Sequence, residues 1–369
     1  MPPKDHDAIL IDTSIFESHG LRLDSGILGT LKQFKDSPVA ILIPDVIKNE
    51  LLSHLEKRIR TSQSTLSKAV NDAGKYVFAS DEELADVNKI VDGFADPKVL
   101  AEARYSQFVS DVRATEIQCD DFISINDVLK RYFDNEPPFS EYGKKKNEFP
   151  DAIVLLAVEA WADAKEVKVL AVSADSDWRL FCEQSLRIDC EEKLASGLDK
   201  FNHTKAAISF IDELETLFKD GTEAEFVEKV ADALNTALDG FTPNQYAESQ
   251  FYWEPEGAHG WFENIDFLDE KFRIVEVTHE WIVTEAVAEI TVGAEGEFSL
   301  SVLDSVDKDY VSLDSVTAEA SETFVSSLLI TISGYLDNVA NIVVEEVEVL
   351  DPIKSINFGT LELSDSFYE

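Results

Sequence analysis

Five carboxylates stand where a folding chain would otherwise place neutral or apolar residues. Asp12 directly follows the apolar run Ala8–Ile11, and Asp175 and Asp177 follow Val167–Val172 in Val-Ser-Ala-Asp-Ser-Asp-Trp. Such runs read as strands buried on both faces of a parallel sheet, whose carboxyl ends open into a ligand crevice. Taken singly, an Asp after a strand is also an ordinary loop residue. Glu50 lies four residues after Val46 and three after Ile47, on the apolar stripe that Leu51 and Leu55 continue, so a helix there turns it inward. An unpaired carboxylate in that position is costly unless it reaches water or a cation. Asp151 follows Pro150 and opens Ala152–Val158, a helical stretch apolar nearly all round; the position also fits a helix cap. Carboxylates that converge repel one another unless divalent cations neutralise them. Oxygen-only ligands suit Mg²⁺ or Mn²⁺, and the usual chemistry of those ions is phosphoryl transfer.

The elements that must position these groups follow from the apolar pattern. Ala8–Ile11, Val39–Ile43 and Val167–Val172 predict buried strands, with Phe122–Ile125 and Leu186–Ile188 as fainter fourth and fifth candidates. Helical stretches of ten or more residues between them predict an α/β domain with a helix-flanked parallel sheet over residues 1–200. Within it, residues 54–118 read as a long helical arm. Residues 201–240 predict a helical connector, with Thr222 and Glu225 as a capping box opening its second helix. Residues 241–369 change texture. Phe272–Val277, Glu285–Val292, Phe298–Leu303, Phe324–Ile332 and Asn341–Val349 alternate apolar and polar residues between acidic or Gly-bearing turns, which predicts an antiparallel all-β domain, a sandwich or a barrel.

Composition excludes several classes. With 44% hydrophobic residues the chain has enough apolar surface to fold, so general disorder is excluded. The longest apolar run, Ala152–Val158, is too short to cross a bilayer. The opening Met-Pro-Pro-Lys-Asp-His-Asp has no apolar core, and Cys119, Cys182 and Cys190 show neither a pairing pattern nor metal-ligand spacing, so a soluble cytoplasmic protein is expected. Net charge is −41, unevenly spread: residues 1–200 carry 25 basic and 37 acidic side chains, leaving 7 and 36 for the remainder. The second half therefore repels phosphate backbones, and any polyanion must be held by the first. Salt adaptation is the lesser explanation of the acidity, given 32 Lys+Arg and 23 Phe.

Four segments occur together in order: Ile11-Asp12-Thr13-Ser14, Pro44-Asp45-Val46 through Glu50-Leu51, Phe149-Pro150-Asp151-Ala152-Ile153, and Val172-Ser173-Ala174-Asp175-Ser176-Asp177-Trp178. Over roughly residues 7–192 the chain resembles the PIN-domain family of metal-dependent nucleases that mostly cut RNA. The Phe-Pro-Asp-Ala form is similar to a bacterial branch of PIN-like proteins with a helical insertion. Nothing in residues 241–369 carries a resemblance. The resemblance implies that Asp12, Asp151 and Asp175 are metal ligands, with Glu50 a ligand direct or through water and Asp177 auxiliary. Ser14 and Ser173 would orient carboxylates or bind the scissile phosphate. It implies Mg²⁺- or Mn²⁺-dependent endoribonuclease activity, with water as nucleophile and 5′-phosphate and 3′-hydroxyl products. A role in toxin action or phage defence would fit this branch. None of the six histidines lies in a catalytic motif, which argues against a metal-free, His-based ribonuclease.

Substrate grip falls to cations near the acidic motifs. Lys144, Lys145 and Lys146 precede Asp151, Arg58 follows Glu50 between Lys57 and Arg60, and Arg179 follows Asp177. The plain reading of such Lys runs is solvated surface. Tyr142 and Phe139 would stack on a splayed base if exposed. Rival chemistries lack their residues. An aspartyl-nucleophile phosphatase needs Asp two residues after Asp12, where Ser14 stands; the receiver-domain pattern is incomplete; an adhesion-type metal motif needs Ser where Phe16 stands; and Gly-rich phosphate loops are absent. A non-catalytic PIN-like scaffold or a DNA-directed nuclease remains as an alternative. The acidic half reads as a module for an unknown protein partner, a self-association surface, or a nucleic-acid mimic covering the cleft.

Overall fold

The computed structural model describes residues 5–77, 81–139, 148–304, 309–336 and 339–363. The chain forms two compact units, residues 1–201 and 202–369.

The first unit is built on five parallel strands in the order β3-β2-β1-β4-β5: β1 (Ala8–Ile11), β2 (Ala40–Pro44), β3 (Thr115–Ile117), β4 (Val169–Val172) and β5 (Ile188–Glu191). All residues of β1 and β4 are buried, as expected of central strands covered on both faces. The chain runs outward from β1 through β2 to β3, then returns to β4 on the other side of β1. The switch point therefore lies between β1 and β4, where the carboxyl ends of an open sheet form its crevice. Phe122–Ile125, expected as a strand, is not one. Cys119–Asp121 is a 3-10 turn, and Ser124 with Asp127 closes a capping box that starts α6 (Ile125–Asp134); the strand lies earlier, at Thr115–Ile117.

Two short helices, α1 (Thr13–Ser18) and α2 (Gly26–Gly29), follow β1. The helical arm consists of the outer part of α3 (Asp45–Val77), α4 (Asp81–Asp92) and α5 (Pro97–Val112). Its return helix is part of the core, since Ala101, Tyr105, Phe108 and Val112 are buried and Phe108 meets Phe16 edge-on with centroids 5.9 Å apart. After α7 (Phe149–Lys165) and β4, α8 (Ser176–Cys182) leads to β5 and α9 (Leu194–Asp199).

The second unit joins the expected antiparallel sheet to helices. Strands β7 (Tyr252–Phe267), β8 (Arg273–Val277), β9 (Trp281–Leu303), β10 (Tyr310–Ser333) and β11 (Val343–Val349) form one sheet, and β6 (Asn244–Glu248) pairs in parallel with β12 (Ser355–Thr360). The expected connector helices, α10 (Lys205–Asp220) and α11 (Ala224–Leu238), belong to this unit. Their Phe210, Leu214, Phe226, Val230 and Leu234 share one apolar core with the inward residues of β9. Helices together with the short β6/β12 pair, rather than a second antiparallel sheet, cover the inner face. The Thr222–Glu225 capping box is absent: Thr222 Oγ1 donates back to the Leu217 carbonyl (3.4 Å), and α11 opens after Glu223.

Glu285–Val292 and Phe298–Leu303, read as two strands, are one. Their separating Gly293 and Gly296 lie inside β9, paired along its length with β10. A side chain at Gly293 would collide with Trp261 and Glu263, and one at Gly296 with Gln245 and Phe358. These glycines therefore admit close neighbours and do not make a turn.

Candidate metal centre

Register places the acidic residues. Ile11 of β1 lies opposite Val172 of β4, so Asp12 and Ser173, the next residue on each strand, emerge side by side at the switch point. Asp12 is 7% exposed and caps α1. Its carboxylate accepts hydrogen bonds from Ser14 Oγ (2.5 Å) and Ser173 Oγ (2.7 Å), and more weakly from the Ser14 amide (3.4 Å). The Ser173–Asp12 bond ties the two strand ends together, and Ser173 Oγ also accepts from the Asp175 amide at 3.1 Å. Asp175 caps α8, taking the Asp177 amide at 2.7 Å, and its side chain is exposed.

The other two carboxylates come from helices. Glu50 on α3 is half-buried and accepts from Thr13 Oγ1 at 2.7 Å. Asp151 lies in the first turn of α7 but does not cap it. Glu148 holds the cap position, and Asp151 Oδ1 instead accepts the indole N–H of buried Trp178 at 2.8 Å. Thr13 and Trp178 stand within the motifs named above, yet nothing in their local sequence marks either as a positioning residue. Only the folded contact reveals that role.

Electrostatics show which carboxylates lie within reach of Asp151. Burial pushes the Asp151 carboxyl from its ordinary 3.8 up to about 7; the Trp178 bond opposes the rise, and the charges of Asp12, Asp175 and Glu50 add to it. Asp177 is also raised, by burial first and then by Asp175 and Glu148. Among the described residues, no Lys, Arg or His forms an ion pair with any of the five; the cationic partners nearest in sequence are engaged elsewhere, His54 with Glu17 and Arg60 with Glu56. Also among the described residues, no three Asp, Glu, His or Cys side chains are drawn together tightly enough to hold an ion as they stand. The donor set is oxygen only, rich in uncompensated charge, and braced by hydroxyl and indole donors. It fits a hard divalent cation of the Mg²⁺ or Mn²⁺ kind.

The expected grip residues are scattered. Arg58 is exposed about two turns beyond Glu50 on α3, and Arg179 is exposed on α8. Lys144, Lys145, Lys146 and Tyr142 lie outside the described residues. Phe139 cannot stack on a base: it is 1% exposed, packed with Tyr132, Phe149, Val128 and Ala152.

Residues 9–178 match the family model described as a PIN domain. This segment of the chain belongs to the PIN-domain family. The PIN match spans β1 through the start of α8 and takes in all five carboxylates. It assigns a nuclease fold, in a family that typically uses divalent metal ions on nucleic-acid substrates. No curated protein and no solved structure matches the chain. Among the described residues, no helix is long and apolar enough to cross a membrane.

Proposed function

We propose that the chain is a Mg²⁺- or Mn²⁺-dependent endoribonuclease whose PIN domain hydrolyses RNA phosphodiester bonds. The observation that carries this reading is the half-buried Asp151, raised to about 7 by desolvation and by Asp12, Asp175 and Glu50, with no cation paired to any of them among the described residues. Asp12, Asp151 and Asp175 would hold the ion, with Glu50 and Asp177 at its margin. A bound ion supplies water activation and neutralises charge building on the phosphate. The chain's own part is orientation. Ser14 and Ser173 fix the Asp12 carboxylate, Thr13 fixes Glu50, and Trp178 fixes Asp151. The acidic second unit, with its 7 basic and 36 acidic residues beyond position 200, acts in this proposal as the regulatory part, binding a protein partner or covering the cleft in place of nucleic acid. A cytoplasmic toxin or phage-defence effector is the setting in which such control is needed.

The test is cleavage of mixed-sequence RNA and DNA by the full chain in Mg²⁺, in Mn²⁺ and in EDTA. Metal-dependent cutting of RNA supports the proposal. Cutting of DNA alone redirects it, and no cutting of either under any condition leaves the PIN fold as a non-catalytic binding module.

A second expectation concerns Ser173, whose hydroxyl orients Asp12 and receives the Asp175 amide. Ser173→Ala should raise the Mn²⁺ concentration for half-maximal cleavage about 10–100-fold, as lost ligand-orienting bonds generally do. A titration matching the unaltered chain would remove Ser173 from the site.

A further inference from the structure

We propose that a groove along α3, reached about two turns beyond Glu50, binds the single-stranded nucleic-acid segment adjoining the bond that is cut. The idea rests on the nuclease reading above and adds to it a place for the substrate away from the metal ligands. The groove has a volume of about 600 Å³ and is bordered by α3, α5 and the turn after α1. Its lining includes Arg22, Arg58 and Arg104 together with Leu66, Phe94 and Leu100.

Two routes lead to it from the carboxylates. Glu50, His54, Arg58, Ser62 and Leu66 succeed one another at four-residue steps along α3, which sets Arg58 about 12 Å along the helix from Glu50. From Asp12 the chain passes through α1 into Gly20 and Leu21, both with positive φ (68° and 56°). Leu21 is not a glycine, so that conformation is held at a cost. It seats Leu21 in the core at 7% exposure and brings Arg22 to the groove.

Charge and apolar surface together name the occupant. In a chain of net charge −41, three guanidinium groups gather around one groove. Arg60 on the same helix is tied to Glu56, whereas Arg58 and Arg104 have no acidic ion-pair partner among the described residues. Phe94 and Leu66 remain 41% and 44% exposed. Guanidinium groups receive phosphates, and an exposed aromatic ring among apolar residues receives a base that is free to leave its stack. A single strand offers both; a rigid duplex keeps its bases stacked inside.

Full-length Asp12→Asn protein with Mg²⁺ and a fluorescein-labelled single-stranded RNA of about 12 nucleotides tests the groove by anisotropy at several salt concentrations. Adding Arg58→Gln and Arg104→Gln should weaken binding about 10–30-fold and reduce the salt dependence by about two phosphate contacts. Phe94→Ala should weaken it about tenfold with little change in salt dependence. Melting curves confirm that each variant folds. Affinity and salt dependence that stay at the parent values in folded variants overturn the proposal, as does a parent that binds no RNA. Thermal stabilisation by decanoate that Phe94→Ala removes, with RNA binding untouched, overturns it in favour of an acyl ligand. Should the unaltered chain cut no nucleic acid while the arginine changes still weaken RNA binding, the nuclease reading fails and the groove stands. Cutting combined with arginine-insensitive binding leaves the nuclease reading standing and removes the groove.

Discussion

Asp12→Asn is expected to lower metal-dependent RNA cleavage about 1,000-fold, the loss that follows from removing several kcal/mol of ion binding and transition-state stabilisation. The fold should hardly notice. The amide oxygen can take the place of Oδ2 and still accept from the Ser14 and Ser173 hydroxyls, so that only the weak 3.4 Å cap from the Ser14 amide to Oδ1 is given up. The melting temperature in EDTA should therefore match or exceed that of the unaltered chain, because one of several crowded negative charges is gone. Cleavage rates and melting curves on the same preparations separate the two effects. Activity near the parent level in the substituted protein, or cleavage that persists in EDTA, would end the metal-centre reading.

Asp151→Asn is expected to move stability and activity in opposite directions. The substitution keeps the bond from Trp178, since an amide oxygen accepts from the indole as a carboxylate does. What it removes is a half-buried carboxyl whose pKa is raised from 3.8 to about 7 by desolvation and by Asp12, Asp175 and Glu50. The pH dependence has a definite sign. Below about pH 4 the folded and unfolded chains both carry a protonated Asp151, and there is no penalty. Between about 4 and 7 the unfolded chain ionises this group while the folded one retains the proton, so folded stability falls as pH rises. Above about 7 the loss is complete. In EDTA at pH 8, after allowance for partial exposure and screening, the substitution should add about 2 kcal/mol to the first unit, roughly 5 °C in its midpoint. The gain should fade toward pH 4. In excess Mn²⁺ the order should reverse, because the unaltered site gains more from the ion. Cleavage should be lost at every pH. Scanning calorimetry at several pH values, with and without Mn²⁺, checks this; a pH-independent difference between the two proteins would show that Asp151 carries no such strain.

The chemistry was readable along the chain because its signals are local. A carboxylate directly after an all-apolar strand, or on the apolar stripe of a helix, contradicts its surroundings, and the contradiction can be seen without a fold. Asp12, Glu50 and Asp151 carry that mark and Asp175 stands three residues past such a strand; in the folded protein the charges of the other three act on Asp151. The groups that brace them were not readable. Thr13 and Trp178 look like ordinary core residues, and only pairing across 37 and 27 positions of chain gives them their partners. Phe139 misled in the other direction, since an aromatic in a loop looks available until Tyr132 and Phe149 are found around it.

By itself the sequence determined the kinds of element, the position of the acidic residues at their ends, and the uneven division of charge between the two halves. Those follow from short-range rules: the two- or near-four-residue period of apolar side chains, and the type of residue at each strand end. Tertiary structure decided the rest. It set β1 beside β4 so that Asp12 and Ser173 touch, ran β9 straight through Gly293 and Gly296, and laid α10 and α11 on the second sheet as core. The reason is physical: these outcomes depend on which distant surfaces exclude water from each other, and no window of neighbouring residues contains that information.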